Sequence, residues 1–242
     1  MQDIYNGMLL AKKAKKKLLA ILLDPDKVAL GQMDALILKI KESPATHVFI
    51  GGSLVLGNTI DEIIIRLKKK ITLPILLFPG NPSQISEQAH GILFLALLSG
   101  RNPDYLIEHQ VRAAPVLKQS ALEVISTGYI LIESGGPTAV ASVSKTIPLP
   151  RHDASIAADT ALAGEFLGNK LIYLEAGSGA RLPVPPETIS LVSKSLSVPL
   201  LVGGGIADFR GIEEAYAAGA DLVVIGTAFE NNPDFFYNLK LS

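Results

Sequence analysis

The residues around position 175 combine an aromatic ring, a carboxylate and glycines in an order that could carry catalysis. Residues 173–179 read YLEAGSG and follow an apolar run. Alternation along a strand would point Tyr173 and Glu175 to the same side. A carboxylate in that position is a candidate general base, or an acceptor for a substrate hydroxyl. The alternative is a structural carboxylate that pairs with a basic residue such as Arg181.

The first apolar run ends in a short acidic motif, DPDK, that could hold a hard cation. Pro25 stiffens the turn between Asp24 and Asp26 and projects their carboxylates. Mg²⁺ takes one or two carboxylates together with waters and phosphate oxygens. Asp24 lies nearer to the run and is the predicted ligand, whereas Asp26 fits a helix cap equally well. Ser53 ends the second run and could add a hydroxyl to the same ion, although it could also be a simple turn residue.

Glycines that could bind a phosphate end the last two apolar runs, at residues 203–205 and at Gly226, which precedes Thr227. Glycine lets successive backbone N–H groups approach an anion closely. Residues 177–179 could add further N–H groups. The alternative is that these glycines serve tight turns with positive φ angles, but two such sites on adjacent final runs favour a phosphate site. Lys27 could neutralise the phosphate charge or remain solvated.

All these motifs follow short apolar runs, and the runs define the fold. They lie at residues 18–23, 48–50, 75–78, 92–97, 129–132, 171–174, 200–202 and 222–225. Each run is continuously apolar, which is typical of parallel strands covered on both faces. Helical patterns separate the runs, so we predict a TIM barrel, an α/β fold of the (β/α)8 type, as one domain over residues 1–242. An open doubly wound sheet is the alternative.

The segments between the runs predict helices, and one of them predicts a loop. Helices are expected at residues 61–70, 105–119, 155–167, 186–195 and 211–218. The longest stretch without a helical pattern is 135–153, which contains Pro137, Pro148 and Pro150. A loop of that length is a lid or wall of a binding site, or a disordered surface excursion.

The composition argues against several classes of protein. The net charge is −1, from 22 basic and 23 acidic residues, so no global field attracts nucleic acid. Without cysteine there are no disulfides, thiolate metal sites or cysteine nucleophiles, and the four histidines show no zinc-binding spacing. No signal peptide or bilayer-length apolar run is visible, so a cytoplasmic protein is expected. The basic cluster at residues 12–17 is interpreted as a solvated helix face.

Taken together, the motifs resemble the geranylgeranylglyceryl phosphate synthase family, which includes the bacterial heptaprenylglyceryl phosphate synthases. The matching pieces are DPDK at 24–27, GGS at 51–53, YLEAGSGA at 173–180, VGGGI at 202–206 and IGT at 225–227. They extend from the first run to the eighth, so the resemblance covers nearly the whole chain. The glycine motifs recur in many phosphate-binding barrels, whereas YLEAGSG combined with DPDK is fairly specific.

The resemblance implies an enzyme that joins sn-glycerol 1-phosphate to a long prenyl diphosphate through an ether bond, with Mg²⁺ as cofactor. Asp24 and Ser53 would hold Mg²⁺, while Glu175 and Tyr173 would be catalytic. The implied substrate-binding residues are Lys27, Tyr173, Leu174, Glu175, Ala176, Gly177, Ser178, Gly179, Gly204, Gly205, Gly226 and Thr227. A homo-oligomer is expected, as is transient contact with a membrane surface, because the product is a lipid.

Several alternatives stay open at this stage. The tail length is unresolved, and geranylgeranyl is favoured because the GGS form of the second motif looks closest to that branch. Glu133, which ends the fifth run, could serve as base or acceptor in place of Glu175. The chain could also be another phosphate-barrel enzyme, an isomerase or aldolase, which often needs a lysine at a strand end. A non-catalytic phosphate-binding barrel would need neither a metal carboxylate nor Glu175.

Overall fold

A computed structural model describes residues 3–52 and 59–236, and its strands close into a parallel barrel. The strands follow one another in chain order, and the last pairs with the first, with Leu18 opposite Leu222 and Ile21 opposite Ile225. This closure confirms the predicted (β/α)8 fold and excludes the open sheet. The strands are β1 Leu18–Leu23, β2 His47–Ile50, β3 Ile75–Leu77, β4 Gly91–Leu97, β5 Glu123–Leu131, β6 Leu171–Glu175, β7 Leu200–Gly203 and β8 Leu222–Ile225.

Every predicted run forms a strand, but β5 is longer than its apolar part. It begins at Glu123 rather than near Tyr129, because β4 pairs with it in parallel register from Gly91 opposite Glu123 onward. The first half of β5 was not predicted because its residues are mostly small or polar and do not form a continuous apolar run. Thr127 is nevertheless fully buried. Its hydroxyl tolerates this burial because it donates to the Ile125 carbonyl oxygen at 2.9 Å.

Helices surround the barrel and agree with the predicted ones to within a few residues. Ahead of α4 the chain makes a π-helical turn, Asp104–Glu108, where regular helix is predicted. In the part of the chain that the structure describes, no helix combines the length and the apolar character needed to cross a bilayer. The helices are α1 Ile4–Lys13, α2 Met33–Glu42, α3 Ile60–Lys68, α4 His109–Gln119, α5 Ala139–Ser144, α6 Ala154–Phe166, α7 Pro186–Ser195, α8 Phe209–Ala218 and α9 Thr227–Asn231.

Helix α5 lies in the stretch 135–153, which corrects the prediction of a segment without a helix. Thr138 caps it by accepting a hydrogen bond from the Ala141 backbone N–H at 3.4 Å, and it ends at Lys145, which has a φ of 53°. A helix this short is too brief to show hydrophobic periodicity. Its last turn is tied to the loop after β4, because the Asn102 side chain donates to the Ser144 carbonyl oxygen at 2.7 Å.

Helix α1 closes the end of the barrel opposite to the mouth. The Glu123 carboxylate, at the start of β5, accepts hydrogen bonds from the Ile4 and Tyr5 backbone N–H groups at 2.6 and 2.8 Å. These N–H groups belong to the first turn of α1, where they have no partner within the helix. Lys12, from the basic cluster, pairs with Asp221 at 2.8 Å, so part of this cluster is structural.

Side chains along each strand alternate between two layers. In β6, Ile172 and Leu174 pack in the outer layer beneath the helices, whereas Tyr173 lies in the inner layer. Tyr173 and Glu175 therefore point the same way, into the barrel, as predicted from the strand alternation.

Candidate functional site

A cavity of about 710 Å³ opens at the mouth, where the loops after the strands converge. The predicted residues that line it are Asp24, Lys27, Tyr173, Glu175, Gly177, Ser178, Gly179, Gly204, Gly205, Gly226 and Thr227. The structure thus brings motifs from both ends of the sequence to one place. The side chains of Leu174 and Ala176 pack in the outer layer instead, so any contact that they make with a ligand falls to their backbone. Ser53 lies outside the described residues.

Glu175 is the buried acid of this cavity. It is 5% exposed, and its Oε1 accepts a hydrogen bond from the Gly177 backbone N–H at 2.6 Å. Burial raises the pKa of the Glu175 carboxyl from its usual value near 4.5 to about 7, although the Gly177 hydrogen bond acts in the opposite direction. Among the described residues Glu175 forms no ion pair, with Arg181 or any other basic group, so the structural alternative lacks its partner.

Tyr173 stands beside Glu175. Its hydroxyl is buried and has no hydrogen-bond partner among the described residues, although it is close enough to Glu175 to influence the pKa of that carboxyl. An unpaired buried hydroxyl is costly, so it is available to a polar group of a ligand. Its ring packs against those of Phe78 and Tyr129, with centroids 5.4 and 5.5 Å away. Burial, and then the charge of Glu175, raise the pKa of both tyrosines well above 10, so both keep their protons.

The glycines after β7 bring two loops into close contact. Gly204 and Gly205 have φ angles of 79° and 69°, which other residues rarely adopt. A Cβ atom at Gly204 would lie 2.2 Å from Glu175 Oε1 and 2.6 Å from the Gly177 backbone nitrogen. Because no side chain fills this space, backbone groups of both loops approach the Glu175 carboxylate. The Gly177 and Ala176 N–H groups are already used, by Glu175 and by the Gly203 carbonyl oxygen, so a phosphate would need other N–H groups of these glycine-rich loops.

Asp24, Lys27 and Glu230 form a charged cluster where the loops after β1 and β8 meet. The Lys27 Nζ lies 2.9 Å from Glu230 Oε2 and 3.4 Å from Asp24 Oδ2. The other Glu230 oxygen accepts a hydrogen bond from the Asp24 backbone N–H at 3.0 Å. Partial burial lowers the pKa of Lys27, but Glu230 and Asp24 outweigh it and raise that pKa overall. The ammonium group therefore stays charged at the edge of the cavity.

The Asp24 carboxylate fits as a ligand of a metal ion that binds together with phosphate groups. Within residues 3–52 and 59–236, no group of three or more acidic or histidine side chains is arranged to hold a metal. A Mg²⁺ ion bound with a diphosphate needs fewer protein ligands, because phosphate oxygens and waters complete its shell. The Asp24 side chain is 22% exposed and lines the cavity, so its carboxylate can supply such a ligand.

A second, apolar cavity of about 90 Å³ adjoins the first. Gly52, Phe78, Tyr129 and Val140 line both, so the two aromatic rings mark the junction. A polar cavity that continues into an apolar one suits a ligand with a charged head and a hydrocarbon tail. Other residues that line the apolar cavity are Pro79, Ile85, Ile92, Leu93, Phe94, Leu95, Leu97, Tyr105, His109, Ala113 and Val143.

Helix α5 separates the two cavities from solvent on one side. Ala139 and Val140 line the polar cavity, while Val140 and Val143 line the apolar one. The Tyr105 hydroxyl donates to the Val143 carbonyl oxygen at 3.3 Å, which ties the helix to the π-helical turn before α4. The stretch 135–153 is therefore a wall of the site.

Some sequence predictions fall outside the site, and some site residues were missed. Glu133 is exposed, and its backbone N–H donates to the Leu149 carbonyl oxygen at 2.9 Å, so it does not replace Glu175. Asp26 is exposed too, and its backbone N–H donates to the Asp24 carboxylate at 3.1 Å. Glu230 was missed, although its place one helical turn after Gly226 indicates the mouth.

The chain is similar to known proteins over most of its length. The model of the PcrB family matches residues 12–240. The chain is 64% identical to the geranylgeranylglyceryl phosphate synthase of Flavobacterium johnsoniae over 96% of both chains. It is 41% identical to the geranylgeranylglyceryl phosphate synthase of Korarchaeum cryptofilum over 95% of this chain and 94% of that one.

A solved structure shows the same fold. The crystal structure of (S)-3-O-geranylgeranylglyceryl phosphate synthase from Thermoplasma acidophilum, in complex with its substrate sn-glycerol-1-phosphate, superimposes with a TM-score of 0.92 at 30% sequence identity. The match covers 99% of this chain and 96% of that chain. The eight-stranded barrel is therefore shared along almost the entire length.

Proposed function

This chain belongs to the PcrB family, and we propose that it is a prenyltransferase that forms an ether bond between sn-glycerol 1-phosphate and a prenyl diphosphate, acting as one domain. The observation that carries the proposal is the position of Glu175. This buried carboxyl, with a pKa of about 7, lines the same cavity as the glycine-rich loops and the Asp24 cluster, and an apolar cavity adjoins it.

The proposed reaction exchanges one carbon–oxygen bond for another. The C3 hydroxyl oxygen of glycerol phosphate attacks the first carbon of the prenyl chain, and the bond from that carbon to the diphosphate breaks. The diphosphate leaves with the electron pair, and Glu175 takes the hydroxyl proton. The Tyr173 hydroxyl, which has no partner among the described residues, can donate to a substrate oxygen and hold the attacking group in place.

The two substrates would occupy different parts of the site. The backbone N–H groups near Gly177, Gly204 and Gly226 would bind the phosphate of glycerol phosphate. The hydrocarbon tail would enter the apolar cavity past Phe78 and Tyr129. Each buried methylene contributes about 0.8 kcal/mol, so the tail can bind tightly without polar contacts.

The diphosphate would lie at the charged cluster. Lys27 would bind it through its ammonium group, and Asp24 would hold Mg²⁺ against it. When bound, Mg²⁺ would stabilise the negative charge that grows on the leaving group.

Product formation tests this function directly. Labelled sn-glycerol 1-phosphate is incubated with prenyl diphosphates of increasing length, with Mg²⁺ or with a chelator. We expect an organic-extractable product that depends on Mg²⁺, with the geranylgeranyl substrate used best. If no prenyl diphosphate yields a product, the proposal is wrong.

The aldolase alternative has little support at Lys27. A Schiff-base lysine needs a lowered pKa, because only the neutral amine attacks a carbonyl group. The pKa of Lys27 is instead raised by its two carboxylate neighbours.

Replacing Asp24 with asparagine should weaken the affinity for Mg²⁺ and so the Mg²⁺-dependent activity. The amide keeps the size of the side chain but loses the charge that attracts the ion. We expect a rise of about tenfold in the Mg²⁺ concentration for half-maximal activity, comparable to the loss of one charge-assisted contact. Titration of activity with Mg²⁺ measures it. If activity persists with chelator in both proteins, Asp24 is only a turn residue.

Filling the apolar cavity should shorten the preferred tail. Ala113 is buried and lines this cavity from α4, whereas its neighbour Ala114 is exposed. We expect Ala113→Phe to favour shorter prenyl diphosphates and to leave the KM for glycerol phosphate unchanged, because added volume removes space only for the tail. The control Ala114→Phe should keep the wild-type preference. A common length preference in both variants would place the tail elsewhere.

A further inference from the structure

We propose that Glu230 is a positioning residue for the diphosphate end of the site, which holds Lys27 and the Asp24 loop in place from the other end of the chain. The inference rests on the proposed function, since it assigns the diphosphate to this cluster. Its test uses binding of inorganic pyrophosphate, which needs no turnover.

Both carboxylate oxygens of Glu230 are used, and each has a different partner. Oε2 lies 2.9 Å from the Lys27 ammonium, and Oε1 accepts the Asp24 backbone N–H at 3.0 Å. The Glu230 side chain is only 12% exposed, so it is held more firmly than Lys27, which is 50% exposed. One rigid group therefore fixes both a flexible cation and the backbone that carries the Asp24 carboxylate.

The position of Glu230 determines where the Lys27 charge lies. Lys27 is also 3.4 Å from Asp24 Oδ2, which competes with Glu230 for the ammonium. Without the negative charge at Glu230, the ammonium would turn to Asp24 and occupy the carboxylate that a Mg²⁺–diphosphate needs. A lysine has a long flexible chain, so it needs such a partner to keep one orientation.

The substitution Glu230→Gln separates charge from shape. If its amide oxygen keeps the Asp24 N–H bond, its NH2 group faces the Lys27 ammonium, and neither can accept a hydrogen bond from the other. The matched control is Glu214→Gln, which breaks an exposed ion pair with Arg210 on the neighbouring helix α8. That pair contributes little to stability because it is solvated.

We would measure the binding of pyrophosphate with Mg²⁺ by calorimetry in the wild type, in Glu230→Gln and in Glu214→Gln. The expected result is a Kd about tenfold higher for Glu230→Gln, as for the loss of one charge-assisted contact, and a wild-type Kd for the control. Glycerol 1-phosphate should bind all three proteins equally. In steady-state assays, Glu230→Gln should raise the KM for prenyl diphosphate more than it lowers kcat.

A Lys27→Met background tests whether Glu230 acts through Lys27. There, Glu230→Gln should change the pyrophosphate Kd by less than about twofold, since coupled residues are not additive. An unchanged Kd in Glu230→Gln, equal effects in both backgrounds, or equal weakening of glycerol phosphate would each overturn the proposal. If Glu230→Gln does not fold by circular dichroism, Glu230→Asp is used, because its shorter side chain draws the carboxylate away from Lys27; it should also raise the pyrophosphate Kd, and a wild-type Kd would overturn the proposal.

The result also separates this inference from the proposed function. Pyrophosphate binding that depends on Glu230, in a protein that makes no ether product, would keep the positioning role and reject the prenyltransferase. Product formation with unchanged pyrophosphate binding in Glu230→Gln would keep the prenyltransferase and reject the positioning role.

Discussion

Replacing Glu175 with glutamine is expected to lower kcat by about 100- to 10,000-fold, the range that a positioned general base contributes. Glutamine keeps the shape of the side chain and can still accept the Gly177 N–H bond. Binding of glycerol phosphate should therefore change little, and the loss should appear in kcat rather than in KM. Steady-state kinetics with each substrate varied in turn measure this. A turnover within a few-fold of the wild type would leave Glu175 with no catalytic role.

The pH dependence gives an independent test of the same residue. The pKa of Glu175 is raised by burial to about 7, so the ionised form that accepts a proton appears only near neutral pH. We expect kcat/KM of the wild type to rise with pH up to about 7, and this rise should be missing in Glu175→Gln.

The stability of the wild type should fall with rising pH over the range in which its kcat/KM rises. The folded protein holds the Glu175 proton more tightly than the unfolded chain, so the free energy of unfolding falls as pH rises from 4.5 to about 7. The loss amounts to about 3 kcal/mol at 1.36 kcal/mol for each pKa unit. Glu175→Gln has no such loss and should unfold at a higher temperature than the wild type at pH 8. Thermal unfolding at pH 5 and pH 8 measures the difference between the two proteins.

Replacing Gly204 with alanine should abolish most activity. The new Cβ would lie 2.2 Å from Glu175 Oε1, and the backbone nitrogens of Gly177 and Ala176 at 2.6 and 2.8 Å cannot easily retreat. The carboxylate and the N–H groups must then move apart, and a misplacement of about 1 Å can cost 100-fold in rate. Steady-state activity and the Kd for glycerol phosphate measure the effect.

A matched control separates this clash from ordinary backbone strain. Gly168, after α6, also has a positive φ of 94°, but nothing lies within 4 Å of its Cβ position. Gly168→Ala should therefore cost only about 1–2 kcal/mol of stability, with activity unchanged. If Gly204→Ala resembles this control in losing stability alone, the close contact of the two loops is not needed for catalysis.

The sequence predicts the barrel well because parallel strands covered on both faces are continuously apolar. The same logic fails at β5, where Ser126 and Thr127 interrupt the pattern and their polarity is satisfied inside the structure, by Asn169 and by the Ile125 carbonyl oxygen. Helix α5 was not predicted for another reason: it is shorter than the window in which a helical period can be recognised.

Most of the predicted residues that directly follow a strand line the cavity at the mouth, where the carboxyl ends of the strands meet. Residues that depend on contacts between distant segments could not be inferred in this way. Glu230 meets Asp24 only because β8 pairs with β1, and Phe78 joins the tyrosines only through the curvature of the barrel. Strand alternation alone predicts that Leu174 points outward. It was nevertheless predicted as a substrate-binding residue because it belongs to the YLEAGSG motif.

The pairing of β8 with β1 has a consequence for the synthesis of this protein on the ribosome. Lys27 and Glu230 are 203 positions apart, so this part of the site does not exist until β8 and α9 have left the ribosome. Until then the edge of β1 has no strand from the same chain to close against, and exposed strand edges favour pairing with other chains. Contacts between such distant segments also slow folding. The nascent protein is therefore most exposed to aggregation just before it acquires the cluster of Asp24, Lys27 and Glu230, and the final strand completes the barrel and this cluster in one step.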